Sequence, residues 1–205
     1  MKKKDKVTVQ TRQAAACMVF RDVFSPTECA EIIALAHTLP AAQASVGHGS
    51  FNVVHDMRRS TVRWLNSAMP ELATVKARVD RCLLKSNAQH WGLDARGYGE
   101  FQFTEYAAAN AGHYDFHRDD NPEPTEAQWT AFDRVLSVVV QLSPKISYTG
   151  GTLEFESGLV PDFEPQGSVV VFPSWHLHRV TPVDAGCRYS LVTWSLGPRG
   201  QSNTK

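Results

Sequence analysis

The sequence predicts an α+β fold that is mainly β, a double-sheet jelly roll with supporting helices in its first half. Three observations carry this. Helical signals are confined to residues 25–90. From about Gly99 the chain turns into short apolar runs separated by turn residues, the pattern of strands. The residues with the most distinctive chemistry, His117, Asp119, His178 and Arg188, are spread over three of those runs.

Taken in order, residues 1–12 read as a flexible polar tail, with Lys2-Lys3-Lys4 a solvated charge run. No apolar stretch follows those lysines, so they do not open a signal peptide. Ser25-Pro26-Thr27-Glu28 is a capping box with proline at the first helical position, and Ile32, Ile33, Leu35 and Ala36 form an apolar stripe that stops near Pro40. A loop bearing Gly47 and Gly49 leads to Met57-Arg58-Arg59-Ser60-Thr61-Val62-Arg63-Trp64. A second helix is expected from about Pro70, where Leu72, Val75, Val79, Cys82 and Leu83 recur at helical spacing. The clearest strands are Phe101–Tyr106, Leu136–Leu142, Thr152–Glu156, Ser168–Phe172 and Arg188–Trp194, with turns at Gly150-Gly151 and Pro165-Gln166-Gly167. Asn121–Phe132, acidic and proline-bearing, reads as an insertion or lid. One domain over 13–198 is expected, with helical support over about 25–90 and a jelly-roll core over about 99–198.

Composition narrows the function classes. At 205 residues the chain can bury one sizeable core, and 42% apolar with 20% charged residues is ordinary for a folded domain. Lys plus Arg and Asp plus Glu both number 21, so no basic excess marks a nucleic-acid binder, and no window approaches a membrane span. Cys17, Cys29, Cys82 and Cys187 are scattered without a CxxC pair. That argues against a zinc ribbon or disulfide framework and suits the cytoplasm.

His117-Arg118-Asp119 is the start of a site. On a strand, residues i and i+2 share a face, so His117 and Asp119 reach one ion together, and a second strand brings His178. Two histidines and a carboxylate on one side of a metal describe the facial triad of non-haem Fe(II) oxygenases. Arg188 then offers a planar fork for a carboxylate, which points to 2-oxoglutarate as cosubstrate, with Ser190 on the same strand face to share it. An arginine turned into a barrel is costly unless an anion meets it.

Each piece has a plainer reading. A lone His-x-Asp pair arises easily by chance among eight histidines, and a lone strand histidine is more often structural. Asp120 points to the wrong face. His176-Leu177-His178 could form a cupin-type pair, but no glutamate follows, so His176 is assigned to the pocket or surface. His113 and His117 have zinc-binding helical spacing, yet Tyr114 stands where a metalloprotease needs glutamate. The order of the whole set favours the triad.

The runs Tyr114-Asp115-Phe116-His117-Arg118-Asp119, Leu136 to Ser143, Gly150-Gly151-Thr152-Leu153-Glu154-Phe155, Phe172-Pro173-Ser174-Trp175 and His178 to Val183, completed by Gly186 to Leu191, resemble the prolyl 4-hydroxylase-like branch of the Fe(II)/2-oxoglutarate-dependent dioxygenases. The small bacterial and phage PKHD-type hydroxylases are the nearest in pattern, over about residues 99–198. The first half is similar through Phe24-Ser25-Pro26-Thr27-Glu28-Cys29 and Arg59-Ser60. The resemblance implies a distorted double-stranded β-helix, cupin-like, with helices packed on one side. It implies iron held by His117, Asp119 and His178, and the far carboxylate of 2-oxoglutarate held by Arg188. Tyr106 and Gln141 are expected to contact the cosubstrate, although Ala107–Ala111 inserts into the family's usual interval after Tyr106. Tyr114, Trp194 and Arg58 are expected to contact the substrate. O2 is the second cosubstrate and L-ascorbic acid the expected stimulant.

The leading expectation is hydroxylation of a prolyl or other residue in a protein or peptide, with decarboxylation of 2-oxoglutarate to succinate. The alternatives are the same chemistry on a free amino acid, small metabolite or nucleobase, and a non-catalytic metal-binding jelly roll. Substrate choice is expected to sit in Ala44–Met57 and Asn121–Phe132.

Overall fold

The computed structural model describes residues 15–44, 57–121 and 131–201, and every absence stated below concerns these residues. The amino-terminal tail, the loop with Gly47 and Gly49, and all but the ends of Asn121–Phe132 lie outside them.

Two helices form where the sequence places them. Helix α1 spans Pro26–His37, and its capping box is complete: the Glu28 N–H donates to Ser25 Oγ while the Glu28 carboxylate accepts from the Ser25 N–H. Cys29, Ile32 and Ala36 are its buried stripe. A 3₁₀ turn over Pro70–Leu72 leads into helix α2, Ala73–Ser86, which a π-turn extends to Trp91 before Gly92 ends it in the left-handed region. Arg78 of α2 reaches both carboxylate oxygens of Glu28, at 2.7 and 2.9 Å, and so latches the two helices.

The larger sheet has the order β1-β10-β7-β12-β5-β4-β2, where β1 is Met18–Phe20, β2 Ala42–Gln43, β4 Thr61–Asn66, β5 Glu100–Ala107, β7 Phe132–Gln141, β10 Val169–Pro173 and β12 Val183–Pro198. Strand β8, Tyr148–Gly150, pairs the first part of β12. The smaller sheet is β3-β6-β11-β9, made of Arg58–Arg59, His113–His117, His178–Val180 and Leu153–Phe155. All the pairings are antiparallel, and the architecture is mainly β in a double-stranded β-helix.

Period-two alternation divides the core. Val169 and Val171 of β10 join Leu136, Val138 and Val140 of β7 against the helices. Val170, Phe172 and Val139 point the other way, onto Leu153, Phe155 and Val180 of the smaller sheet. Buried on both sides, β10 reads as a continuous apolar run, Val-Val-Val-Phe-Pro.

Several bounds differ from expectation. Strand β9 is shorter than Thr152–Glu156, and β12 is far longer than Arg188–Trp194 because it pairs β8 with its first residues and β5 and β7 with the rest. Strands β1, β2, β3 and β8 are two or three residues long, too short to show a period, and β4 lies in the arginine-rich run that carried no assignment. Gly150 and Gly151 have φ of +71° and +61°, and a Cβ on Gly150 would meet the Pro182 carbonyl at 2.2 Å.

Candidate metal and cosubstrate site

The site is assembled where β6 meets β11. His117 and His178 are register partners across that pair, and their ring centroids lie 4.2 Å apart. Each Nδ1 lies 2.8 Å from a carbonyl oxygen two residues earlier, Asp115 for His117 and His176 for His178. A carbonyl only accepts, so each Nδ1 donates there and each Nε2 is the ring nitrogen left for a metal. Both Nε2 atoms face Asp119, at 3.6 Å from Oδ1 and 3.7 Å from Oδ2. Donor atoms of the three residues all lie within 4.8 Å of one another.

Asp119 reaches this position by a route that strand periodicity does not describe. Strand β6 ends at His117, so the expected shared strand face is not what aligns Asp119. Its backbone N–H donates to the Ser174 carbonyl at 2.9 Å, and Ser137 Oγ donates to Oδ2 at 2.6 Å, with Ser174 Oγ 2.9 Å behind Ser137. Burial alone would raise the Asp119 carboxyl, but His178, His117 and Arg134 outweigh it and hold the group well below the usual carboxylate range. Burial pushes His178 down to about 4 against the opposing pull of Asp119, so its imidazole is neutral near pH 7. Tyr114 lies flat on His117 with centroids 3.4 Å apart, and burial pushes its phenol up to about 12.

A cavity of about 150 Å³ opens from these three residues. Strand alternation builds its walls: Arg188, Ser190, Val192 and Trp194 from β12, and Gln102, Thr104 and Tyr106 from β5. Arg188 is 2% exposed, sits opposite Tyr106 in register, and donates from Nε to Gln141 Oε1 at 3.1 Å. No carboxylate among the described residues pairs with it. Gly151 leaves it room, since a Cβ there would lie 3.1 Å from Arg188 Cδ.

Of the residues singled out in the sequence, His117, Asp119, His178, Arg188, Ser190, Tyr106, Tyr114, Trp194 and Arg58 all line this cavity. Gln141 does not. It is fully buried behind Arg188, and its amide nitrogen is taken by the Ser143 carbonyl and Tyr148 hydroxyl, so it holds the arginine in place. His176 lies outside the cavity with its Nδ1 3.1 Å from the Ala16 carbonyl, and Asp120 is paired with Arg118. The sequence reading missed Ser137 and Ser174, which brace Asp119, and Arg134. For Ser137 and Arg134 the available signal was a hydroxyl and a charge within β7.

Residues 101–196 match the profile of the family described as the 2OG-Fe(II) oxygenase superfamily. Just under half of the chain is thus similar to this superfamily. It is similar to a PKHD-type hydroxylase of Hyphomonas neptunium, 48% identical over 61 residues that make up 29% of this chain and 27% of the relative. It is also similar to a PKHD-type hydroxylase of Bordetella pertussis, 27% identical over 84% of this chain and 75% of the relative. The matched segments cover only 27% to 38% of the first four such relatives. Among solved structures, a prolyl hydroxylase of Trichoplax adhaerens in complex with a peptide fragment of hypoxia inducible factor superposes with a TM-score of 0.69 at 17% identity, covering 88% of this chain and 83% of that one. A Pseudomonas putida prolyl-4-hydroxylase superposes at 0.64 with 20% identity, covering 89% and 92%. At such identities the likeness shows the fold.

The matched family implies Fe(II) and 2-oxoglutarate, and the donor set found here fits them. Metal–ligand bonds of about 2.1 Å place neighbouring donors roughly 3–4 Å apart, as the two His–Asp distances do. Two imidazoles and one carboxylate on one side leave the cavity side free. Among the described residues, no helix is long and apolar enough to cross a membrane.

Proposed function

We propose that this oxygenase hydroxylates a prolyl or other residue of a peptide or protein, with Fe(II) held by His117, Asp119 and His178. One observation carries the reading: the three donors and the buried Arg188 open into the same cavity. When bound, iron, 2-oxoglutarate and O2 supply the oxidation that turns a C–H bond into C–OH while 2-oxoglutarate loses carbon dioxide to become succinate.

The chain's own contribution is position and dryness. Arg188, steadied by Gln141, grips the far carboxylate, with Ser190 and Tyr106 beside it. Tyr114, Arg58 and Trp194 receive the substrate, and the apolar walls Val139, Leu153 and Val192 keep water out. A solved relative in complex with a peptide supports a peptide substrate. L-Ascorbic acid acts as a stimulant, residues 13–198 form the catalytic domain, and the protein works in the cytoplasm. The net charge of zero supports neither nucleic acid nor a membrane surface as partner.

Substrate-stimulated succinate release, measured over a panel of peptides and metabolites, tests the proposal. Release should require both Fe(II) and 2-oxoglutarate and rise with at least one peptide. Release that ignores either component would overturn it.

A further inference from the structure

Arg134 is the cavity's unexplained charge. It enters from β7, lies with its guanidinium carbon 3.8 Å over the Trp194 ring, and makes one long hydrogen bond, 3.4 Å from Nη1 to the Asp119 carbonyl. Face-on stacking leaves the N–H edge of a guanidinium free to donate. No carboxylate among the described residues pairs with that edge. The neighbouring Asp133 carboxylate is already occupied by the Asn121 and Arg134 backbone N–H groups and by Arg199. Trp194 adds a second donor, since its indole N–H is buried with no acceptor among the described residues. On one wall of the cavity, then, the Trp194 indole N–H lacks an acceptor and Arg134 has only a long one.

The other ligands do not supply it. Arg188 accounts for the far carboxylate of 2-oxoglutarate. Apart from the Asp120-paired Arg118, the cavity holds Arg58, Arg134, Arg188 and Asp119, with Arg58 donating to Ser60 and Gln102. With a divalent ion and a dianion added, two positive charges remain, and of their two arginines the half-buried Arg134 is the one held by a single long hydrogen bond; charges drawn out of water are retained where something pairs them. Resting on the oxygenase reading above, we propose that Arg134 receives a carboxylate of the substrate. Because Arg134 donates to the carbonyl of Asp119, itself beside the metal position, that carboxylate lies only a few bonds from the carbon oxidised. It therefore belongs to the hydroxylated residue itself, as the α-carboxylate of a free amino acid or of a peptide's last residue. An internal prolyl segment has none there.

Calorimetric titration of the oxygen-free protein, loaded with Fe(II) and 2-oxoglutarate, tests this with free amino acids, N-acetyl amino acids and N-acetyl amino acid amides, proline first. The acids should bind at least tenfold tighter than their amides, in line with a charge-assisted fork. Arg134→Gln should erase that preference while 2-oxoglutarate affinity stays within about twofold. Arg134→Lys, which keeps charge without the fork, should recover part of it and carries the test if the glutamine variant does not fold. N-acetyl acids binding tighter than free amino acids identify a chain terminus, and the reverse order a free amino acid. Equal binding of acids and amides, a preference that survives Arg134→Gln, or no binding by any acid overturns the proposal. Acids that bind at Arg134 in protein that fails to bind 2-oxoglutarate would count against the oxygenase reading and leave the carboxylate site standing.

Discussion

His178 stands opposite His117 across the β6–β11 pair, and each ring is fixed from behind by a carbonyl oxygen two residues earlier in its own chain. Both Nδ1 atoms are thus engaged for the same local reason, and both Nε2 atoms converge on the space in front of Asp119. A site that needs two neutral nitrogen donors is set up by backbone geometry alone.

Asp119→Ala should abolish turnover and strongly weaken Fe(II) binding, since only the two imidazoles would remain. Asp120→Ala should leave iron affinity within about twofold, because its carboxylate is spent on Arg118. Iron titration of both variants separates the two acids, and retained turnover in Asp119→Ala at saturating iron would sink the triad.

Ser137→Ala removes the hydroxyl that donates to Asp119 Oδ2 at 2.6 Å. Such supporting partners of metal ligands contribute about 10- to 100-fold in affinity. Iron binding should weaken by about tenfold with the fold intact, and an unchanged dissociation constant would show that Ser174 and the backbone suffice.

Arg188→Ala should weaken 2-oxoglutarate at least tenfold, since each charge-assisted bond contributes about 1.5–3 kcal/mol. Arg188→Lys should fall between that variant and the wild type, with iron affinity barely changed. Gln141→Leu should show a smaller rise in the 2-oxoglutarate requirement, because the guanidinium survives and only its orientation loosens. An unaltered 2-oxoglutarate requirement in Arg188→Ala would make Arg188 structural.

The buried His178 gives the metal-free protein a pH dependence. Its folded pKa of about 4 lies below the ordinary 6.5, so the unfolded chain takes up the proton first. That contribution to stability is intact above about pH 6.5 and is lost as pH falls toward 4, by on the order of 3 kcal/mol at about 1.4 kcal/mol per unit. The depressed Asp119 carboxyl adds to the loss at the acid end. Melting temperatures of the metal-free protein between pH 7 and 4.5 should fall more steeply for the wild type than for His178→Gln.

Much of the fold was legible because it rests on local chemistry. The capping box at Ser25 and Glu28 is a contact across three residues, and it forms as written. The alternation of Arg188, Ser190, Val192 and Trp194 on one strand face follows from the geometry of a strand and holds along β12. Strands of two or three residues, such as β2 and β3, show no period of their own and exist only because a longer neighbour pairs them.

The sequence by itself determined which donors are available and in what order: two histidines, an aspartate and a buried arginine, each of a residue type with narrow chemistry. Only the tertiary structure decided how they meet. Asp119 is aimed by Ser137 and Ser174, Gln141 stands behind Arg188, and Arg134 is laid on Trp194 against the metal side of the cavity. Each of these contacts joins residues at least 15 apart. The reason is physical: strand pairing places side chains by register across the sheet, and register depends on every neighbouring strand at once.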